Sequence, residues 1–173
     1  PDSKRAAYVG TDNYAMGLAI GQMAAKLKPE GGTFAMVSGG PAAQNLNDRM
    51  KGVIDGLGAG WTQVDGSPLY SNDDAQLAVQ QLQDIVTANP DITALLPVGG
   101  WPLFVPDAYR AFVEPIKADL ASGAKIIVSA DTLPVELESL RDGYVNALIG
   151  QQPYAMGEQA MELLLKLHNG ETL

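Results

Sequence analysis

Short apolar runs alternate along this chain with longer segments in which apolar residues return every three to four positions. The short runs cover residues 6–9, 33–38, 62–64, 94–98, 125–129 and 145–149, and they predict β-strands. The longer segments cover residues 14–27, 46–57, 73–88, 106–120 and 134–141, and they predict helices. Strands buried on both faces and joined by helical crossovers form a parallel sheet, so the alternation predicts a mainly parallel open sheet over residues 6–149. The expected fold class is α/β, a three-layer αβα arrangement with helices on both faces of a Rossmann-like sheet.

Turn residues fall where these elements should end. Pro29-Glu30-Gly31-Gly32 closes the first helix and Asn89-Pro90-Asp91 closes the third, while Ser71-Asn72-Asp73 is placed to cap the start of the third. A final segment, residues 154–168, carries Met156, Ala160, Leu163, Leu164 and Leu167 at helical spacing before Asn169-Gly170. It predicts an amphipathic helix with a C-terminal stop.

Composition narrows the class of protein. Hydrophobic residues make up 46% of 173, enough for a buried core. A net charge of -9, with no run of Lys or Arg, argues against nucleic acid as a partner. Cysteine is absent, which removes disulfides, thiolate nucleophiles and Cys-based metal sites together. No apolar stretch approaches the roughly 20 residues that span a bilayer, and the opening Pro-Asp-Ser-Lys-Arg has no apolar signal-peptide core. That polar, linker-like opening without an initiator Met is what a piece of a longer protein would show.

In open parallel sheets ligands bind beyond the carboxyl ends of the strands. The segments expected there are Thr11-Asp12-Asn13, Gly39-Gly40-Pro41, Gly99-Gly100-Trp101-Pro102, Asp131-Thr132 and Gln151-Gln152. Carboxylates and amides match hydroxyl groups and aromatic faces match sugar rings, so this set suits a neutral polyol, although loop polarity alone would also produce it. The sequence contains no Gly-x-Ser-x-Gly elbow, no Walker loop, no His-Glu-x-x-His helix and no Gly-x-Gly-x-x-Gly after the first strand. His168, the single histidine, is accounted for by a helix C-terminus. Asp12, Asp48, Asp131 and Asp142 could pair as carboxylates only if the fold brought them together. No catalytic residue, metal site or cofactor is therefore expected.

Several segments taken in order resemble one family. Tyr8-Val9-Gly10-Thr11-Asp12-Asn13 with Gly17 and Gly21, Asn47-Asp48-Arg49-Met50-Lys51-Gly52, Asn89-Pro90-Asp91-Ile92, and Ile149-Gly150-Gln151-Gln152-Pro153-Tyr154 with Gly157 are similar to the ribose-binding-protein family. These are periplasmic sugar-binding proteins of ABC transporters, which share their fold with the effector domains of LacI-type repressors. The resemblance implies two α/β lobes closing on a sugar, with residues 1–151 forming the second lobe and residues 152–173 a return segment and helix of the first.

It also implies a site. Arg49 would bond sugar hydroxyls rather than a surface acid, and Tyr70 would pack on the ring or anchor its loop. Asp131 would accept hydroxyl bonds, and Gln151 would bond either a hydroxyl or the hinge. Where the family often carries Asn-Asp, this chain has Gly99-Gly100 followed by Trp101, which would stack on ligand or pack the loop. The implied function is capture of a monosaccharide or sugar alcohol outside the cytoplasmic membrane, periplasmic or membrane-anchored, and delivery to an ABC transporter permease. A LacI-type effector domain is the alternative. With most of the first lobe absent, the terminal helix is expected to cover its apolar stripe by self-association, by folding back on its own lobe or by leaving the segment disordered, with a homodimer favoured because matching stripes can pair across a twofold axis.

Overall fold

The computed structural model describes residue 4 and residues 6–171; most of the polar opening, Pro1, Asp2, Ser3 and Arg5, lies outside them. Two compact units are present, one of residues 13–150 and one of residues 1–12 with 151–173.

The larger unit is a parallel sheet with helices on both faces. Its strands are β1 (Gly32–Ser38), β2 (Trp61–Gln63), β3 (Leu69–Tyr70), β4 (Ala94–Pro97), β5 (Ile126–Ala130) and β6 (Ala147–Ile149). Their order is β2-β1-β4-β5-β6, with β3 also pairing β1, and every ladder is parallel. The helices are α1 (Asn13–Leu27), α2 (Gln44–Leu57), α3 (Ala75–Ala88), α4 (Pro106–Val113), α5 (Lys117–Ser122) and α6 (Pro134–Arg141).

Successive residues of the central strands serve opposite layers, as a period of two demands. Phe34 and Met36 of β1, with Ala94, Leu96, Ile126 and Val128, pack under α1 and α2 around Ile20, Ala24, Met50 and Val53. Ala35, Val37, Leu95 and Ile127 face the other way, onto Leu82 of α3 and Tyr109, Phe112 and Val113 of α4. Tyr109 is fully buried, and its hydroxyl donates to the Tyr144 carbonyl at 2.9 Å. Burial raises its pKa far above the ordinary phenol value.

Helices α1 and α2 meet through glycine. A Cβ on Gly17 would fall 1.9 Å from the Arg49 carbonyl oxygen, and ones on Gly21, Gly52 and Gly56 would fall 2.3, 2.2 and 2.4 Å from the carbonyl oxygens of Val53, Tyr14 and Leu18. The two helices thus touch main chain to main chain, which fixes α2 against the sheet with little freedom to shift.

Four expectations are corrected. Residues 6–9 form no strand: a short apolar run becomes one only within a ladder, and the ladders of this sheet join other segments. The segment 106–120 is not one helix, because a single 3-10 turn containing Pro115, Glu114–Ile116, separates α4 from α5. The cap of α3 is Asp74, whose carboxylate accepts from the Leu77 N–H at 2.9 Å, rather than the Ser71-Asn72-Asp73 run. Helix α3 therefore begins two residues later than expected. Two elements were not anticipated, the two-residue β3 and a 3-10 turn, Trp101–Phe104.

The smaller unit contains α7 (Pro153–His168), which ends at Asn169 with Gly170 in a left-handed conformation, as the sequence predicts. Tyr154, Met161, Leu164, Leu165 and Leu167 of α7 are exposed. Among the described residues no helix is long and apolar enough to cross a membrane.

Candidate ligand-binding site

Because all ladders of the larger unit are parallel, the carboxyl ends of β1, β3, β4 and β5 lie along one edge. Backbone geometry marks the same edge. Among the described residues, the non-glycine ones with positive φ, Asn72 (51°), Asp73 (62°) and Asp131 (74°), lie just after β3 and β5. Left-handed conformations at non-glycine residues cost free energy and persist where surrounding structure requires them, often at binding sites.

Arg49, in the second turn of α2, reaches this edge. Its side chain is not on the surface, since the residue is 4% exposed. Nη1 donates to the Val98 carbonyl at 2.6 Å and Nη2 to Asn13 Oδ1 at 2.6 Å, so the guanidinium links α2 to the end of β4 and the start of α1. Its Nε is buried without a hydrogen-bond partner. Burial lowers the Arg49 pKa, and the nearby Asp131 charge opposes that shift.

Asp131, half-buried, donates its backbone N–H to the Ile149 carbonyl at 2.8 Å. Its Oδ2 accepts from the Gly100 N–H at 3.1 Å. A guanidinium on α2 and an acid just after β5 are thus each held by a backbone group at the end of β4, Val98 and Gly100, within electrostatic reach of one another.

Trp101 opens the 3-10 turn after β4. Its ring lies so close over Gly99 that a Cβ there would fall 2.4 Å from it, and one on Gly39 would fall 3.1 Å away. The ring also packs on the core beneath α3 and α4. Tyr70, half-buried, packs toward the α1 and α2 side, and its carbonyl accepts from Gln81 Nε2 at 3.0 Å.

Arg49, Tyr70, Trp101 and Asp131 therefore share one unit and one sheet edge. Gln151 belongs to the other unit, where its Oε1 accepts from the Thr11 hydroxyl. Of the other aspartates considered from sequence, Asp48 accepts from Gln44 Nε2, Asp142 pairs with Arg141 and Arg110, and Asp12 belongs to the other unit.

One residue at this edge has no counterpart in the sequence expectations. Glu136 of α6 is fully buried, with Oε2 accepting from the Leu133 N–H at 2.6 Å and Oε1 buried without a partner. Burial raises its carboxyl to about 7, the Leu133 N–H opposes that rise, and the Asp131 charge adds to it. A single Glu within Pro-Val-Glu-Leu-Glu-Ser-Leu-Arg carries no sequence signal of burial.

The larger unit is thus a parallel α/β sheet whose strand ends present an acid, a guanidinium and two aromatics. The family model of the periplasmic binding protein domain matches residues 1–172, and the chain belongs to that family. A xylose/arabinose-binding protein, XylF, of Sulfolobus acidocaldarius is 28% identical over 153 residues, covering 87% of this chain and 36% of that protein. The crystal structure of GanP, a glucose-galactose binding protein from Geobacillus stearothermophilus, is similar with a TM-score of 0.87 and 26% identity, covering 100% of this chain and 60% of that one. An ABC transporter solute-binding protein from Burkholderia graminis, in complex with D-arabinose, gives a TM-score of 0.86 and 26% identity, covering 99% of this chain and 58% of that one. The chain thus spans about a third of the curated relative and three-fifths of these solved structures.

Proposed function

We propose that the protein captures a monosaccharide or sugar alcohol outside the cytoplasmic membrane, periplasmic or membrane-anchored, and delivers it to the permease of an ABC transporter. The observation that carries this is the Arg49 and Asp131 arrangement at the strand ends. A buried guanidinium with an unsatisfied Nε stands near a carboxylate already fixed through Gly100. Adjacent sugar hydroxyls both donate and accept, so they match such a pair.

In this role Arg49 donates to ring hydroxyls and Asp131 accepts from them, each bond being charge-assisted. Tyr70 and Trp101 supply apolar surface for the ring face. In the complete receptor the larger unit, residues 13–150, acts as the second lobe, and residues 1–12 with 151–173 belong with the first. Ligand favours the closed arrangement of two lobes, and the transporter recognises that form. No bond is made or broken, and neither cofactor nor metal takes part.

An effector domain of a LacI-type regulator would use the same fold. The relatives above 25% identity whose names state a role are sugar-binding or solute-binding proteins, which favours transport. Calorimetric titration of the intact receptor with D-arabinose, D-xylose and D-galactose tests the reading. Arg49→Ala and Asp131→Ala should each weaken the sugar that binds by about 1.5 to 3 kcal/mol. Unchanged dissociation constants in folded variants would reject these two residues as ligand contacts.

A further inference from the structure

Gly100 is not needed for backbone freedom. Its φ of -74° and ψ of 1° are open to any L-residue. Space is what the position lacks: a Cβ there would fall 2.2 Å from Glu136 Oε1 and 2.6 Å from the Phe104 ring. Phe104 is exposed and can swing aside, whereas Glu136 is enclosed. A carboxyl from α6 therefore occupies the volume that a side chain on position 100 would fill.

Helix α6 is turned to put it there. Glu136 and Ser139 face inward and are fully buried, while Leu133, Leu137 and Leu140 are exposed. Rolling the helix to bury leucine and solvate glutamate would follow ordinary burial preferences. The opposite orientation places a polar group with one unsatisfied oxygen directly behind the Gly99–Gly100 turn.

We propose that Glu136 is a positioning residue of the ligand site: its buried carboxyl takes the place of a side chain at position 100 and fixes the Gly99–Gly100 turn on the Asp131 carboxylate. The proposal rests on the ligand role of Asp131 for its functional consequence, but its structural half is independent of any ligand. The Gly100 N–H donates to Asp131 Oδ2, so wherever Glu136 holds Gly100, it also sets the aim of Asp131. The neutral acid suits this place. Ionised, it would bring a second negative charge beside Asp131, with Arg49 of α2 as the cation acting on that pair through Asp131. The raised carboxyl of Glu136 agrees with that state.

The test compares the wild type, Gly100→Ala, Glu136→Ala, the double variant and Glu136→Gln. Amide hydrogen exchange at residue 100 is read without ligand, and D-arabinose, D-xylose and D-galactose are titrated from pH 6 to pH 8. Each alanine single variant should speed exchange at residue 100 about tenfold, and the double variant should return it to within about threefold of wild type, because the methyl group added at position 100 then fills the space that Glu136 left. Wild-type affinity should fall severalfold from pH 6 to pH 8, and Glu136→Gln should bind nearly uniformly across that range. Additive exchange effects, or a Glu136→Gln pH profile matching wild type, would overturn the proposal. Failure of the wild type to bind any of the three sugars would remove the sugar reading instead, and the exchange measurements would still decide the positioning role.

Discussion

Replacing Gly17 by alanine adds one methyl group at the tightest contact between α1 and α2. The new Cβ would lie 1.9 Å from the Arg49 carbonyl oxygen and 2.7 Å from its carbonyl carbon. Ordinary contact begins near 3.4 Å, so the helices must part by about 1.5 Å. Both atoms involved belong to main chain, and no rotamer change relieves the clash. Separation would loosen the matching contacts of Gly21, Gly52 and Gly56 and the packing of Ile20 against Val53. Overpacking of this kind costs about 1 to 3 kcal/mol beyond the roughly 0.5 to 1 kcal/mol that alanine gains over glycine within a helix.

The functional consequence follows from the neighbours. Asn13 opens α1 and takes the Arg49 Nη2 bond at 2.6 Å, so parting the helices stretches that bond as well. Thermal melts of Gly17→Ala should show a midpoint lower by about 2 to 4 °C per kcal/mol lost. Gly157→Ala is the matched control, since Gly157 also lies within a helix but has nothing within 4 Å of its Cβ position. If Gly17→Ala melted as high as Gly157→Ala, the backbone contact between α1 and α2 would not be holding Arg49 in place.

Three further outcomes are expected. Tyr109→Phe should lose about 1 kcal/mol by urea titration, because the carbonyl of half-buried Tyr144 forfeits its donor. With the Glu136 carboxyl raised from 4.5 to about 7, the folded protein holds a proton that the unfolded chain releases. Stability should therefore decline as pH rises from about 4.5 to about 7, by up to the order of 3 kcal/mol, and Glu136→Gln should flatten that decline in melts across the range. Sedimentation of the 173-residue chain should show self-association through the exposed apolar residues of α7, lost on truncation after Pro153, and a monomer at high concentration would refute it.

Much of the fold was legible because strands buried on both faces leave continuous apolar runs. Residues 33–38, 94–98 and 125–129 read plainly as strands for that reason, and no observed bound differs by more than one residue. Which residues face which layer was not legible, since Phe34-Ala35-Met36-Val37 is apolar throughout and only the pairing to β4 assigns Met36 to one side and Val37 to the other. β3 was hidden because a two-residue strand is defined by its partners, here Val37 and Ser38, and not by its own pattern. Residues 6–9 show the reverse, strand-like composition without a place in the sheet. Arg49 and Asp131 stood out through family resemblance; their residue types alone allowed capping or surface pairing equally well.

Helix α6 shows most sharply where pattern reading stops. Its sequence places Leu133, Leu137 and Leu140 at a spacing of three to four, which marks the face that normally turns inward. The structure turns that face outward and buries Glu136 and Ser139. Ser139 satisfies itself by donating to the Val135 carbonyl at 3.0 Å, which leaves Glu136 as the costly member of the pair. A buried carboxyl with one unsatisfied oxygen would be removed by a simple roll of the helix unless something else fixed the roll. Two contacts do so: Pro134 and the bond that the Leu133 N–H donates to Glu136 Oε2 hold the first turn, and the glycine at position 100 leaves room for Glu136 Oε1, which a Cβ there would crowd at 2.2 Å. The apparent inversion of α6 is then the geometric counterpart of the missing side chain on β4's loop. A sequence pattern that scores one helix at a time cannot register it, because the compensating change sits thirty-six residues away, at Gly100.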